Sequence, residues 1–373
     1  MVEINVPGGW KVEPLLNYLN YDQPSKYIIK TEISKKKLSV PVLTPGKTFI
    51  KGYVDEKEGI YNTLPVIIFD DFTTAIKWVN FPFKVKSSAM KILKPKNKDV
   101  NMKFVFYQMS QKDISISTHK RHYLSMYQNL DFVFPSLELQ QRIVEEIERQ
   151  FSRLNEAACE LRGVLGKLSV YRKAVLKRAF EMREGWEEKE FQDLCKDLFA
   201  GGDLPKGNWS KEKTKEHTIP IYANGIKNKG LYGYTNIIRT DKKSVTVSAR
   251  GTIGHTEIRE TAFYPIVRLI VATPKENIEV KYLKYILDLI GVKGNGISIP
   301  QLTVPMIRKV KIAIPKTKEE QKKIVAGIEE RFSVVDAVEM KVEASLSKLE
   351  RMQKSILKSA FEGKLVKEDG VIS

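Results

Sequence analysis

Cysteine is nearly absent from this sequence. Cys159 and Cys195 are the only two, and they form neither a metal-ligand spacing nor a disulfide framework. Both are expected to be ordinary buried or half-buried thiols in a reducing compartment. Histidine is also scarce: His119, His122, His217 and His255 have no nucleophile partner or metal spacing, and HKRH (119–122) reads as a basic loop. No apolar run approaches the ~20 residues that a membrane span needs, so no membrane association is expected. The opening MVEINVPGGWKVEP has neither a basic n-region nor an apolar h-region, so no secretory leader is expected and the chain is placed in the cytoplasm.

Complete catalytic motifs are missing too. GKT (46–48) ends like a phosphate-binding loop, but Pro41 stands where that motif needs glycine. GIKNKG (225–230) has the glycine spacing without the Lys-Ser/Thr that should follow, so it reads as a turn. NFPF (80–83) is one residue from the N-P-P-F tetrapeptide with which amino-methyltransferases hold a flipped adenine. No glycine-rich cofactor turn follows a strand upstream of it, so no S-adenosylmethionine site is expected. Asp70-Asp71 lacks an accompanying E-x-K pair, and paired aspartates at a loop edge are expected to be solvated. The chain reads as non-enzymatic, with no metal or cofactor of its own.

What the sequence has in excess is positive charge. Lys and Arg number 63 against 45 Asp and Glu, a net +18 that suggests a polyanionic partner. Residues 1–135 carry +8 and 184–314 carry +6, whereas 136–183 carry +3 and 315–373 only +1. The excess lies mostly in two blocks. At 373 residues and 42% hydrophobic content, two ordinary cores are affordable.

The blocks belong to a repeat. YRKAVLKRAFEM (171–182) returns 181 residues later as MQKSILKSAFEG (352–363). At the same offset Ile143-Val144 answers Ile324-Val325, and Phe151-Ser152 answers Phe332-Ser333. FPSLELQQRIV (134–144) resembles IPKTKEEQKKIV (314–325), each with a proline ending an extended segment before a helix. Both helices carry an apolar residue every seven positions: Leu154, Leu161, Leu168 and Val175, then Val335, Val342, Leu349 and Ile356. Leu165 and Leu346 mark a second seam, interrupted at equivalent places by Arg172 and Gln353. This spacing predicts two helices of about 45 residues, roughly 65–70 Å each, packed antiparallel as a coiled coil. The preceding blocks echo each other more faintly: SVPVLTPGKTFIKGY (39–53) with TIPIYANGIKNKGLY (218–232), FKVKSSAMKILKP (83–95) with FYPIVRLIVATP (263–274), and KFVFYQM (103–109) with KYLKYIL (281–287). Short strands broken by Gly, Pro and Asn, with one short helix late in each block, predict an α+β (mixed α/β) fold.

This organisation resembles the DNA-specificity (S) subunits of type I restriction–modification systems over nearly the whole chain. The Pro–Gln–Ile-Val helix starts, the twin Leu-Lys-x-Ala-Phe-Glu helix ends and the series TIPIYANG…TVSARGTIG…FYPIVRLIVATP…ISIPQL…VKIAIP carry the resemblance. The first block departs from it where FDDFTTAIKWV (69–79) stands in place of SARGTIGHTEI (248–258). The resemblance implies a first target-recognition domain at 1–135, a spacer helix at 136–183, a second recognition domain at 184–314, and a second helix with tail at 315–373. It implies a pseudo-two-fold repeat in which the antiparallel helices separate the two domains. The partners implied are double-stranded DNA with a split, asymmetric target, two modification (methyltransferase) subunits, and restriction (ATP-dependent endonuclease) subunits. S-adenosylmethionine, ATP and Mg are then expected on those partners. A related type II or methylation-only assembly and, from another class, a coiled-coil protein scaffold are the alternatives.

Reading a duplex takes cations for phosphates and polar or planar side chains for base edges. Loop candidates in the first block are Lys47, Lys51, Lys77, Lys120 and Arg121, with Trp78 expected in the core. In the second they are Lys227, Lys229, Tyr232, Arg250, Thr252, His255, Lys293 and Asn295, with Arg250 the leading candidate for guanine.

Overall fold

The computed structural model describes residues 7–46, 48–112, 122–294, 301–367 and 370–371. The chain forms two compact units, residues 1–160 with 345–373, and residues 161–344.

In the first unit, β1 (Lys11–Pro14) and β2 (Leu19–Asp22) precede β3 (Val40–Leu43) and β4 (Ile50–Val54). Then come β5 (Val66–Asp70), β6 (Ile76–Val79), β7 (Lys84–Val85), β8 (Met90–Pro95) and α1 (Met102–Met109). β9 (Asp131–Phe134) leads into the long helix α2 (Leu137–Ala179). The sheets have the orders β2-β8-β5-β6 and β4-β3-β7, and β1 pairs with β9. VIIFD in β5 is buried at all five positions because both faces of that central strand are covered. Ile67 and Phe69 face a cluster with Tyr18, Val105 and Tyr127. Val66 and Ile68 face the opposite one, with Leu43, Phe83 and Val85.

The second unit has the same topology. Its elements are β10 (Glu187–Glu190), α3 (Phe191–Leu194), β11 (Cys195–Ala200), β12 (Ile219–Tyr222), β13 (Leu231–Thr235) and β14 (Ser244–Val247). They continue with β15 (Thr256–Arg259), β16 (Tyr264–Pro265), β17 (Ile270–Pro274), α4 (Val280–Gly294), α5 (Val304–Arg308) and β18 (Lys311–Ile314). The second long helix, α6 (Lys318–Phe361), follows, and after it β19 (Val366–Lys367) pairs with β20 (Gly370–Val371), both in the first unit. The sheet orders β11-β17-β14-β15 and β13-β12-β16, and the β10-β18 pair, repeat those of the first unit strand for strand. The cores differ in chemistry. Val245 and Val247 of β14 enter the apolar core, but Thr246 on the other face accepts from Arg259 Nε at 3.0 Å. The Arg259 guanidinium lies 3.6 Å from the centre of the Tyr222 ring.

The long helices start by the same device in both units. Gln140 is buried, its Oε1 accepting from Asn101 N–H at 2.8 Å, and its Nε2 donates to the carbonyls of Pro135 and Asp99 at 3.0 and 3.3 Å. Gln321, 181 residues later, accepts from Glu279 N–H at 2.8 Å and donates to the Asn277 carbonyl at 3.2 Å. Each glutamine ties the start of a long helix to the N-terminus of the block's own helix, α1 or α4. The T-shaped ring pairs Tyr107–Phe151 and Tyr285–Phe332 repeat as well, with centroids 5.7 and 5.8 Å apart. Burial beside Glu148 and Glu329 pushes both phenols up to about 12.

The twin helix ends fill equivalent places. In the second unit Leu176, Phe180, Val325 and Ile328 share the core, and Phe180 packs edge-on against Tyr282 of α4. In the first, Leu357 and Ala360 join Ile143 and Ile147, and Phe361 packs edge-on against Phe104 of α1. Within each unit the two helix segments run antiparallel. Arg172 pairs with Asp336 and with Glu339 at 2.9 Å in one, and Gln353 donates to Asn155 at 3.0 Å in the other. Asn155 and Asp336 are repeat-equivalent, as are Arg172 and Gln353, so both polar interruptions of the seam meet the same partner position. Of the heptad residues, Val335 and Val342 are buried, and Leu154, Leu161, Leu165, Leu168, Val175, Leu346, Leu349 and Ile356 are half-buried.

Three expectations need correction. Cys159 is exposed, because it lies one position round the helix from the buried seam residue Ala158. Cys195 is buried, and burial pushes its thiol up to about 12. Asp70 and Asp71 are buried, not solvated. Asp70 Oδ1 caps the turn by accepting from Phe72 and Thr73 N–H, and Asp71 accepts from Tyr123 N–H and lies 3.7 Å from buried Lys91. His122 is buried beside them, its N–H donating to the Asp71 carbonyl, so it does not belong to an exposed basic loop.

Candidate nucleic-acid interface

The two blocks differ at the turn that follows β5 in the first unit and β14 in the second. In the first unit, residues 71–75 join β5 to β6 and are pinned by the buried aspartates, leaving Phe72 and Thr73 exposed at the tip. In the second, the connection from β14 to β15 is three residues longer, spanning 248–255. Gly251 takes φ 70° and Gly254 φ 83°, left-handed values that let the longer turn fold back. Gly254 also approaches Gly291 of α4 so closely that a Cβ on either would lie 3.2 Å from the other's Cα.

Arg250 stands exposed on this turn, and both its Nε and Nη2 donate to Gln301 Oε1, at 3.1 and 2.8 Å. Asn224 gathers the neighbouring loops. Its Oδ1 accepts from Ala249 N–H at 2.8 Å and its Nδ2 donates to the Val267 carbonyl at 2.8 Å. Leu302 N–H donates to the Ala249 carbonyl at 2.9 Å. Val267 and Arg268 are both exposed with φ of 54° and 61°. A β-branched residue in that region is a strained conformation held by its surroundings. Four segments, at 224–225, 248–251, 267–268 and 301–302, therefore meet in one loop cluster.

The other candidates are scattered. Lys227 and Lys229 are exposed on the left-handed turn before β13, and the Lys229 carbonyl accepts from Arg259 Nη2 at 2.7 Å. Tyr232 is 38% exposed, tilted against Trp209, with Lys211 Nζ 4.9 Å from its ring centre. Thr252 is half-buried on the arginine turn. His255 is half-buried, its Nε2 3.3 Å from Glu257 Oε1 but not aligned for a hydrogen bond. That carboxylate neighbour makes it a poor phosphate ligand. In the first unit Lys51 is exposed on β4 and Lys77 half-buried on β6. Trp78 packs against Phe106, at 5.9 Å between centroids, with Lys103 Nζ over it, and so belongs to the core edge. Lys47, Lys120, Arg121, Asn295 and the Lys293 side chain lie outside the described residues.

Sequence reasoning missed Gln301 and Asn224. Both sit in short polar–Pro/Gly contexts, IPQL and YANG, that look like ordinary turns, and only their partners distinguish them. No group of three or more His, Cys, Asp or Glu side chains could hold a metal ion among the described residues.

One α+β block used twice, with a shared framework and different loops, defines a two-headed recognition protein. Residues 183–346 match the family model for the type I restriction modification DNA specificity domain. The type I restriction enzyme EcoR124I/EcoR124II specificity subunit of Escherichia coli is 30% identical over 352 residues, 84% of this chain and 85% of that protein. The putative type I specificity subunit S.MpnORF89P of Mycoplasma pneumoniae (strain ATCC 29342 / M129 / Subtype 1) is 30% identical over 262 residues, 66% of this chain and 78% of the relative. A chain solved in work on the complex assembly and conformational transition of the type I R-M system shares the fold. Its TM-score is 0.71 at 17% identity, across 96% of this chain and 99% of that one. The chain belongs to the specificity subunits of type I restriction–modification systems.

Proposed function

We propose that this chain is the non-catalytic DNA-reading subunit of its complex. Each block reads one half of a split duplex target, and the halves differ because the loops differ. The long helices offer repeat-equivalent surfaces to two modification subunits, and restriction subunits join that assembly. S-adenosylmethionine, ATP and Mg belong to those partners, and the complex works in the cytoplasm. Among the described residues no helix is long and apolar enough to cross a membrane.

The observation that carries this reading is the identical strand order of the two blocks set against unlike turns, 71–75 and 248–255. A scaffold serving two identical partners has no need for divergent heads, whereas two unlike half-sites require them. The block-localised positive charge fits a phosphate backbone. The test is co-expression with the cognate modification subunit in a host lacking adenine methylation, followed by sequencing of methylated adenines. One bipartite, asymmetric motif is expected. The purified chain alone is expected to transfer no methyl group and cut no DNA; methylation of adenine by the isolated chain would overturn the assignment.

A further inference from the structure

Arg250 is fixed from two directions, although its side chain is exposed. The backbone of Ala249, its neighbour, is clamped by Asn224 on the N–H and by Leu302 on the carbonyl. The guanidinium itself is held through Nε and Nη2 by the single oxygen of Gln301. An unrestrained arginine has many rotamers to lose on binding, and here that ordering is already made in the protein.

The orientation of the glutamine follows from chemistry. A guanidinium has donors only, so the amide oxygen must face it and the amide nitrogen must turn away. Gln301 occupies the Nε side of the fork, which leaves the end formed by Nη1 and the second N–H of Nη2. The pair therefore presents N–H donors from both residues. In the major groove guanine alone offers two adjacent acceptors, N7 and O6. Adenine sets an amino donor beside its N7, and cytosine presents an amino donor. Opposite either of those, a donor-only pair sets donor against donor.

We propose that Arg250 and Gln301 form a preorganised donor pair that selects a guanine in the half-site read by the second block. Arg250 makes the contact, and Gln301 positions it and adds its amide donor at the same or the adjacent base pair. The proposal rests on the DNA-reading role above. It also confines the requirement to one half of the target, because the equivalent turn of the first block exposes Phe72 and Thr73 and no cation.

The experiment uses the full chain co-expressed with its modification subunits, with methylated adenines mapped genome-wide and thermal melting of each purified variant as a folding control. Arg250→Ala is expected to relax one guanine in one half-site, lowering its preference over the other bases about 5- to 150-fold. Gln301→Leu frees the arginine and is expected to lower the same preference about 2- to 10-fold. Gln301→Glu keeps an acceptor for the arginine and loses the amide donors, so it restores the guanine at the Arg250 position relative to Gln301→Leu. The other half-site stays unchanged in all three. If folded Arg250→Ala and Gln301→Leu keep the wild-type guanine requirement, the proposal fails. It fails equally if they methylate every target less without relaxing any position, which would make the pair a backbone contact. A wild-type complex with no bipartite motif would instead overturn the DNA-reading role itself.

Discussion

Gln321→Leu tests whether the repeated glutamine is what joins each long helix to its block. Gln321 is 1% exposed and makes two hydrogen bonds across 42 and 44 residues of sequence. Leucine removes both. The Glu279 N–H, at the N-cap position of α4, is then left unpaired against an apolar side chain, at a cost of ~1–3 kcal/mol. The Asn277 carbonyl is on an exposed residue and can take water, so it adds little. A net loss of about 2 kcal/mol is expected. Gln140→Leu also strands the carbonyl of buried Pro135, so it should cost more, about 3–4 kcal/mol.

Gln321→Glu sharpens the test. An ionised carboxylate here would be desolvated and would face the Asn277 carbonyl, so its folded pKa should rise above the ordinary glutamate value. The neutral acid has one C=O acceptor and one O–H donor and reproduces the glutamine pattern. The penalty is therefore complete above the raised folded pKa and vanishes as pH falls below the unfolded one. With two units in one chain a single transition is not assured, so the assay is denaturant-dependent hydrogen exchange read separately over α1 and α4. Losses under ~0.5 kcal/mol for both leucine variants, or a Gln321→Glu variant indifferent to pH, would refute the reasoning.

Other expectations follow from ion pairs and helix length. Glu56 accepts from Lys30 N–H, Thr31 N–H and Thr31 Oγ1 and lies 2.8 Å from buried Lys84, whose hydrogen bond chiefly lowers its pKa to about 2. That contribution is present above the unfolded glutamate pKa and is lost as pH falls towards 2, which acid titration of stability in the first unit would show. Glu56→Gln should remove most of that acid dependence and cost about 3 kcal/mol by leaving Lys84 without its counter-charge. Arg172→Ala should destabilise the second unit by about 1 kcal/mol, read as a lower denaturation midpoint, an effect that fades in high salt. Arg172→Gln with Asp336→Asn transplants the Gln353–Asn155 pair and should recover stability to within ~0.5 kcal/mol, now without salt dependence. Four residues inserted after both Leu168 and Leu349 add about 6 Å to each helix. If helix length sets the gap in the target, the methylated motif should keep both half-sites and lengthen its gap; an unchanged gap in a folded, active complex would refute this.

Much of the architecture was legible because it rests on periodicity and repetition. Heptad spacing and the 181-residue offset predict helices of about 45 residues, and α2 and α6 have 43 and 44. Proline before each long helix, and the paired segments KFVFYQM and KYLKYIL late in the blocks, were enough to place α1 and α4 and to pair the blocks. Local signals decide these features, so they survive in a bare string of residues. The reading of Asp70-Asp71 failed for the complementary reason. Two carboxylates look solvated until the fold brings Tyr123 and Lys91 onto them across the first unit.

Composition and periodicity are enough to specify the helices, their shared seam, the doubled block and the sign of the net charge. Which polar residues act together is set by the folded chain. Arg250 and Gln301 are 51 residues apart, and Asn224 reaches Ala249 across 25. No spacing rule connects such positions, because loops that meet at a site are brought there by strands whose order in the sheet differs from their order in the chain.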